Sequence, residues 1–138
     1  MFIVHDQRII PGLPDTVALP RQAIMASTTD PRAAYSSLIR PGRGVIDGLG
    51  PSFFTKLLYF AGGGELKHPC LILDANVARS LHDLGWTSLP RVWANWYTDT
   101  YVSYCELLHR WAGELPSRKS GPVAADEIEY SLFTRAKT

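Results

Sequence analysis

Ile46-Asp47-Gly48-Leu49-Gly50-Pro51-Ser52-Phe53-Phe54-Thr55-Lys56-Leu57-Leu58-Tyr59-Phe60 is the stretch on which the reading of this chain turns. Gly48 and Gly50 flank one apolar residue, Leu49, so the backbone can turn sharply there and take positive φ. Pro51 follows at once, where a helix can begin without losing a hydrogen bond. Beyond it, apolar residues recur at helical spacing, with Phe53, Leu57 and Phe60 on one side and Phe54 and Leu58 beside them. The glycines at 62 to 64 are expected to stop that helix. The order predicts a helix-hairpin-helix element over about residues 43–62. Such a hairpin turns backbone N–H groups outward at a helix N-terminus, where a phosphate can sit.

Upstream, Thr29-Asp30-Pro31 reads as a helix start, with a cap just before proline. That helix is expected to pass through Ala33, Tyr35, Leu38 and Ile39 and to end at Pro41-Gly42. The first helix of the hairpin element is then confined to residues 43–47. Residues 1–29 read as an extended arm broken by prolines at 11, 14 and 20, with at most an amphipathic turn around Gln22-Ala23-Ile24-Met25.

Downstream, Cys70-Leu71-Ile72-Leu73 is an apolar run entering a helix capped by Asp74. Val77, Leu81 and Leu84 continue its inward face, and Gly85 stops it. After a tryptophan-rich loop, a helix from about Asp99 to Gly113 presents Tyr101, Tyr104, Cys105, Leu108 and Trp111 on one broad face. A last helix, Ala124 to about Arg135, carries Ile128, Leu132 and Phe133. Its acidic start, Ala125 to Glu129, complements the helix dipole and reads as structural. The expected fold is all-α, with one helical domain over residues 30–138 following the arm.

The 138 residues suffice for one moderate core, and a net charge of +1 creates no basic field. A hairpin that grips phosphate through backbone amides needs none, but nonspecific affinity for nucleic acid should be weak. Cys70 and Cys105 are too few for a disulfide framework or an iron–sulfur cluster, and both read as reduced and buried. The four histidines are dispersed without ligand spacing, so no metal site is expected. No apolar run approaches the ~20 residues of a membrane span, and no signal peptide opens the chain, so a cytoplasmic protein is expected.

Gly48-Leu49-Gly50-Pro51-Ser52, followed one helix later by Leu71-Ile72-Leu73-Asp74-Ala75-Asn76-Val77-Ala78-Arg79, resembles the core of the helix-hairpin-helix DNA glycosylases. The Leu-Asp-x-Asn-Val-x-Arg form is most similar to the adenine glycosylases. The run from Pro51 to Phe60 is similar to bacterial proteins with an 8-oxoguanine-glycosylase fold. The resemblance spans roughly residues 31 to 112.

It implies that Asp74 stabilises the oxocarbenium-like sugar as the base leaves, or activates the water. A plain helix N-cap is the other reading of that residue. It implies that Gly48, Leu49, Gly50 and Ser52 meet the DNA backbone, and that hairpin carbonyls could hold a monovalent cation. Ser52 falls where strand-cutting relatives carry a Schiff-base lysine, so hydrolysis without a lysine adduct is expected. Lys56, one turn on, could reach a phosphate or stand solvated. Trp93 and Trp96 are the candidates to stack on an extruded base. Full-length glycosylases of this kind have a longer N-terminal part that closes the cleft. Fewer than fifty residues precede the hairpin here, so a shortened form is expected, or one completed by a second chain. Two other readings stay open: a noncatalytic DNA-binding module, and an α-helical protein-interaction domain in which Gly-Leu-Gly is only a turn.

Overall fold

The computed structural model describes residues 21–40, 43–44, 50–87, 89 and 96–137. Among these, a helical stretch at 21–26 leads into α1 (Pro31–Ser36). Two short strands follow, β1 (Ile39–Arg40) and β2 (Arg43–Gly44). Then come α2 (Pro51–Phe60), α3 (Ala75–Asp83), α4 (Thr98–Glu114) and α5 (Ala125–Lys137). The architecture is all-helical apart from that antiparallel ladder, which pairs Ile39 with Gly44 and Arg40 with Arg43.

α1 begins as the sequence predicts: Asp30 caps it by accepting from the Ala33 N–H at 3.1 Å, and Pro31 fills the first turn. It ends earlier than expected. The residue before a proline is pushed out of the helical region, so Arg40, ahead of Pro41, takes Ile39 into the ladder. Arg43 and Gly44 are strand residues as well, which corrects the expectation of a helix from 43 to 47. Residues 45–49, including Gly48 and Leu49, lie outside the described residues. Residues 21–26 are helical and Ala23 and Ser27 are fully buried, so helix joins the core before α1.

The core gathers around α4. Tyr35 of α1 stacks on Tyr101 of α4 with ring centroids 4.5 Å apart. Its hydroxyl donates to the Trp96 carbonyl at 2.8 Å. Arg32 and Asp99 form an exposed ion pair between the same two helices. α2 buries Pro51, Phe54, Thr55 and Leu58. Phe53 and Phe60 stay 45% and 67% exposed, so of the two apolar sides it is the Phe54-Leu58 one that turns inward. After α2 the chain turns at Gly62, where a Cβ would meet the His68 ring at 2.3 Å. That ring is buried and its Nε2 lies 2.7 Å from the Leu58 carbonyl. α5 packs on α3, where the Ser80 hydroxyl donates to the Leu132 carbonyl at 2.6 Å. Among the described residues, no helix is long and apolar enough to cross a membrane.

Candidate active site

The residues before α3 form a largely buried segment in neither helix nor strand, so side chains from two helices satisfy its backbone. The Tyr101 hydroxyl donates to the Leu71 carbonyl at 2.8 Å, and the Tyr104 hydroxyl to the Ile72 carbonyl at 2.5 Å. From α2, the Thr55 hydroxyl accepts the Leu73 N–H and donates to the Leu73 carbonyl, both at 3.0 Å. This frame fixes where α3 begins and therefore where Asp74 stands. Asp74 is half-buried, and its Oδ1 accepts the Val77 N–H at 2.9 Å, a helix N-cap. Among the described residues Oδ2 has no hydrogen-bond partner.

α5 lays an acidic face beside this corner. The Tyr59 hydroxyl, from α2, donates to Asp126 at 2.6 Å, and that bond pushes the phenol up to about 12. Glu129 is only 9% exposed, and no side chain hydrogen-bonds to it among the described residues. Burial, then the neighbouring carboxylates of Asp74 and Asp126, push its carboxyl up to about 7, against the pull of Lys56. Tyr104 is raised too, chiefly by burial, with Glu129 and Asp74 adding to it. Asp74, Lys56, Glu129 and Asp126 thus share one electrostatic neighbourhood. A surface pocket of about 450 Å³ opens on the α5 side, lined by Tyr59, Asp126, Glu127, Glu129, Tyr130 and Ser131, with neither Asp74 nor Lys56 in its wall. Glu127 is tied down separately: it accepts the Ala124 N–H at 2.8 Å and both Arg118 guanidinium nitrogens at 2.8 and 2.9 Å.

The expected site residues are distributed unevenly over this geometry. Gly50 is exposed and caps α2 without a side chain, and a Cβ added to it meets nothing within 4 Å. Ser52 is half-buried in the first turn of α2, and its carbonyl accepts the Thr55 hydroxyl at 3.2 Å. Lys56 is exposed one turn later, within electrostatic range of Glu129. Gly48, Leu49 and Trp93 lie outside the described residues, as does the backbone expected to hold a monovalent cation. Trp96 does not offer a stacking face: it is 3% exposed within the core, its carbonyl engaged by Tyr35 and its Nε1 buried without a partner. The ring packs where the chain enters α4, and that packing is why the expected exposure fails. Cys70 and Cys105 are free and buried, their thiols pushed up to about 12 by burial, so neither is a nucleophile. Among the described residues, no group of three histidine, cysteine, aspartate or glutamate side chains could hold a metal.

Sequence reasoning missed Glu129. The signal was its spacing: Ala125, Glu129 and Leu132 fall on one helical face, and all three are buried. A glutamate inside an apolar stripe is more informative than one in an acidic run.

No curated protein and no solved structure matches the chain. A family model does, over residues 4–133, under the description "Putative 8-oxoguanine DNA glycosylase OGG-like protein". Nearly the whole sequence is covered, the hairpin corner and Asp74 with it, and an all-helical body agrees with that fold. The chain therefore belongs to the OGG-like family.

Proposed function

We propose that this protein is a monofunctional DNA glycosylase: it flips a damaged or modified base from a duplex and hydrolyses its N-glycosidic bond without cutting the strand. The observation that carries the reading is Asp74. It is held in a fixed corner by Thr55, Tyr101 and Tyr104, and it spends one carboxylate oxygen on its helix while leaving the other without a partner. A carboxylate so placed can face the positive charge that develops on the sugar as the base departs. α2 reaches the same corner through Thr55, and at its exposed N-terminal Gly50 an added Cβ meets nothing within 4 Å. With Ser52 where strand-cutting relatives use a lysine, attack falls to water. Lys56 serves as a phosphate contact.

Duplexes carrying single lesions, incubated with the protein and then treated with alkali, should break at the lesion. Asp74→Asn should abolish the breaks, and borohydride should trap no covalent complex. Cleavage that survives Asp74→Asn removes the assigned role, and an adduct through Lys56 removes the lysine-free mechanism.

The capping bond to Val77 favours a second reading, in which Asp74 only starts a helix and the protein binds DNA without chemistry. Gly50→Val separates the two from the third, a protein-interaction domain. The added side chain fits the fold, so lost DNA affinity in a folded variant supports DNA binding, and unchanged affinity supports the interaction domain.

A further inference from the structure

We infer that the pocket beside α5 binds a primary alkylammonium ion, that of a free polyamine or of a lysine side chain, through the carboxylates of Glu129 and Asp126. Asp74 is not in its wall, and the inference does not depend on the glycosylase reading. The pocket measures about 450 Å³, a volume that holds a small organic molecule, and no basic residue lines it. Tyr59 and Tyr130 bring aromatic rings to it, and α5 brings Asp126, Glu127 and Glu129. Glu129 is what points to a ligand. It is nine-tenths buried, and no hydrogen bond or ion pair reaches its carboxylate among the described residues. Nor is it sealed off. Among the described residues only the Trp96 Nε1 is a side-chain polar atom both covered and unpartnered, so Glu129 keeps oxygen surface open to the pocket it lines.

Two of the three hydroxyl donors in the wall are already committed. The Tyr59 hydroxyl donates to one oxygen of Asp126 at 2.6 Å, and the Ser131 hydroxyl to the Glu127 carbonyl at 3.0 Å. The Glu127 carboxylate is taken up by Arg118 and the Ala124 N–H. The acceptors left over are both oxygens of Glu129 and the Asp126 oxygen that Tyr59 does not use. Three positions apart, Asp126 and Glu129 share one face of α5, with about 5–6 Å between Cβ atoms at that spacing. A pocket with acceptors to spare and rings at its sides selects a positively charged donor.

The class of cation follows from the geometry. A metal ion does not fit, because no three histidine, cysteine or acidic side chains among the described residues converge closely enough to hold one. A guanidinium sets two donors in the plane of one carboxylate, the arrangement Arg118 already makes with Glu127. An ammonium spreads three donors from one centre, which suits single oxygens offered by two separate carboxylates. Its alkyl stem can lie along the Tyr130 ring, which is 65% exposed. Lys56 does not fill the role: it stands exposed on α2, outside the wall, and forms no ion pair with Glu129 among the described residues. The same negative wall repels nucleic-acid phosphate, so this is no second DNA contact.

The test is a titration of the full chain, labelled with nitrogen-15, at about 0.1 M salt and followed by backbone amide shifts. The probes are spermidine, Nα-acetyl-lysine amide and Nα-acetyl-arginine amide. The first two should move the amides of Tyr59 and of residues 126–131 together and saturably. Tighter binding of spermidine assigns the site to a free polyamine, and a lysine derivative that binds as tightly assigns it to the lysine of another chain; either supports the site. Glu129→Gln keeps the volume and should weaken spermidine by about tenfold or more. Tyr130→Ala changes an exposed residue and should weaken it about threefold, which tests the site whatever Glu129→Gln does to the fold. Glu65→Gln removes the same charge from an exposed loop and should leave the affinity unchanged. A loss in Glu65→Gln equal to that in Glu129→Gln means diffuse attraction to surface charge and overturns the proposal. Shifts scattered away from the pocket, an arginine derivative bound more tightly than both ammonium probes, or no binding by any probe overturns it as well.

Discussion

Asparagine caps a helix about as well as aspartate, so Asp74→Asn separates two roles that share one side chain. We expect the variant to melt within about 0.5 kcal/mol of wild type by urea denaturation, yet to leave lesion duplexes uncut. Asp74→Ala should lose both activity and about 1 kcal/mol of stability. Thr55 is a sharper case. Thr55→Val keeps the shape but strands the buried N–H and C=O of Leu73, and should cost about 2–4 kcal/mol by the same measurement. Of these residues only Asp74 was legible in advance, because a cap announces itself by its position ahead of an apolar run. Thr55 was not, since its partners lie eighteen residues away. Glu129 was hidden by its company: a glutamate among acidic neighbours at a helix start reads as dipole complement, and only its register with Ala125 and Leu132 betrays burial.

At the scale of elements, starts and stops carried clear chemistry. Pro51 opens α2 and Asp74 opens α3, as the sequence requires. Gly85 ends α3 at a φ of 109°, and the Trp86 N–H closes the turn on the Leu81 carbonyl at 2.9 Å. Gly85→Ala meets no clash, so its cost of about 1 kcal/mol should come from the backbone alone and appear as a Tm lowered by a few degrees. Which face of α2 turns inward was not legible. The helix is apolar on two adjacent sides, Phe53-Leu57-Phe60 and Phe54-Leu58, so amphipathicity could not choose between them. The ladder after α1 escaped for a different reason: two residues a side are too few to show a period.

For the whole molecule, the all-helical class followed from periodicity, but the meeting of α5 with α2 and α3 did not. That contact joins residues about seventy positions apart, and no local pattern encodes it. Stability should register the meeting through pH. Glu129 holds its proton more tightly in the folded chain than the usual carboxyl value of 4.5 would allow, so the folded state gains from that proton below about 4.5. The gain is lost as pH rises through about 7. Glu129→Gln, which cannot ionise, should therefore be more stable than wild type at pH 8 by roughly 1–3 kcal/mol, and nearly equal to it at pH 4.5, measured by urea denaturation at both values.

The stretch from Leu71 to Leu73 has a loop's irregular shape, yet its main chain is bolted from both sides by hydroxyls rooted in separate helices. No small breathing motion frees the Leu73 amide, because α2 would have to part from this segment first. Deuterium should reach that amide only when the entire chain opens, so one position outside every helix becomes a gauge of global unfolding.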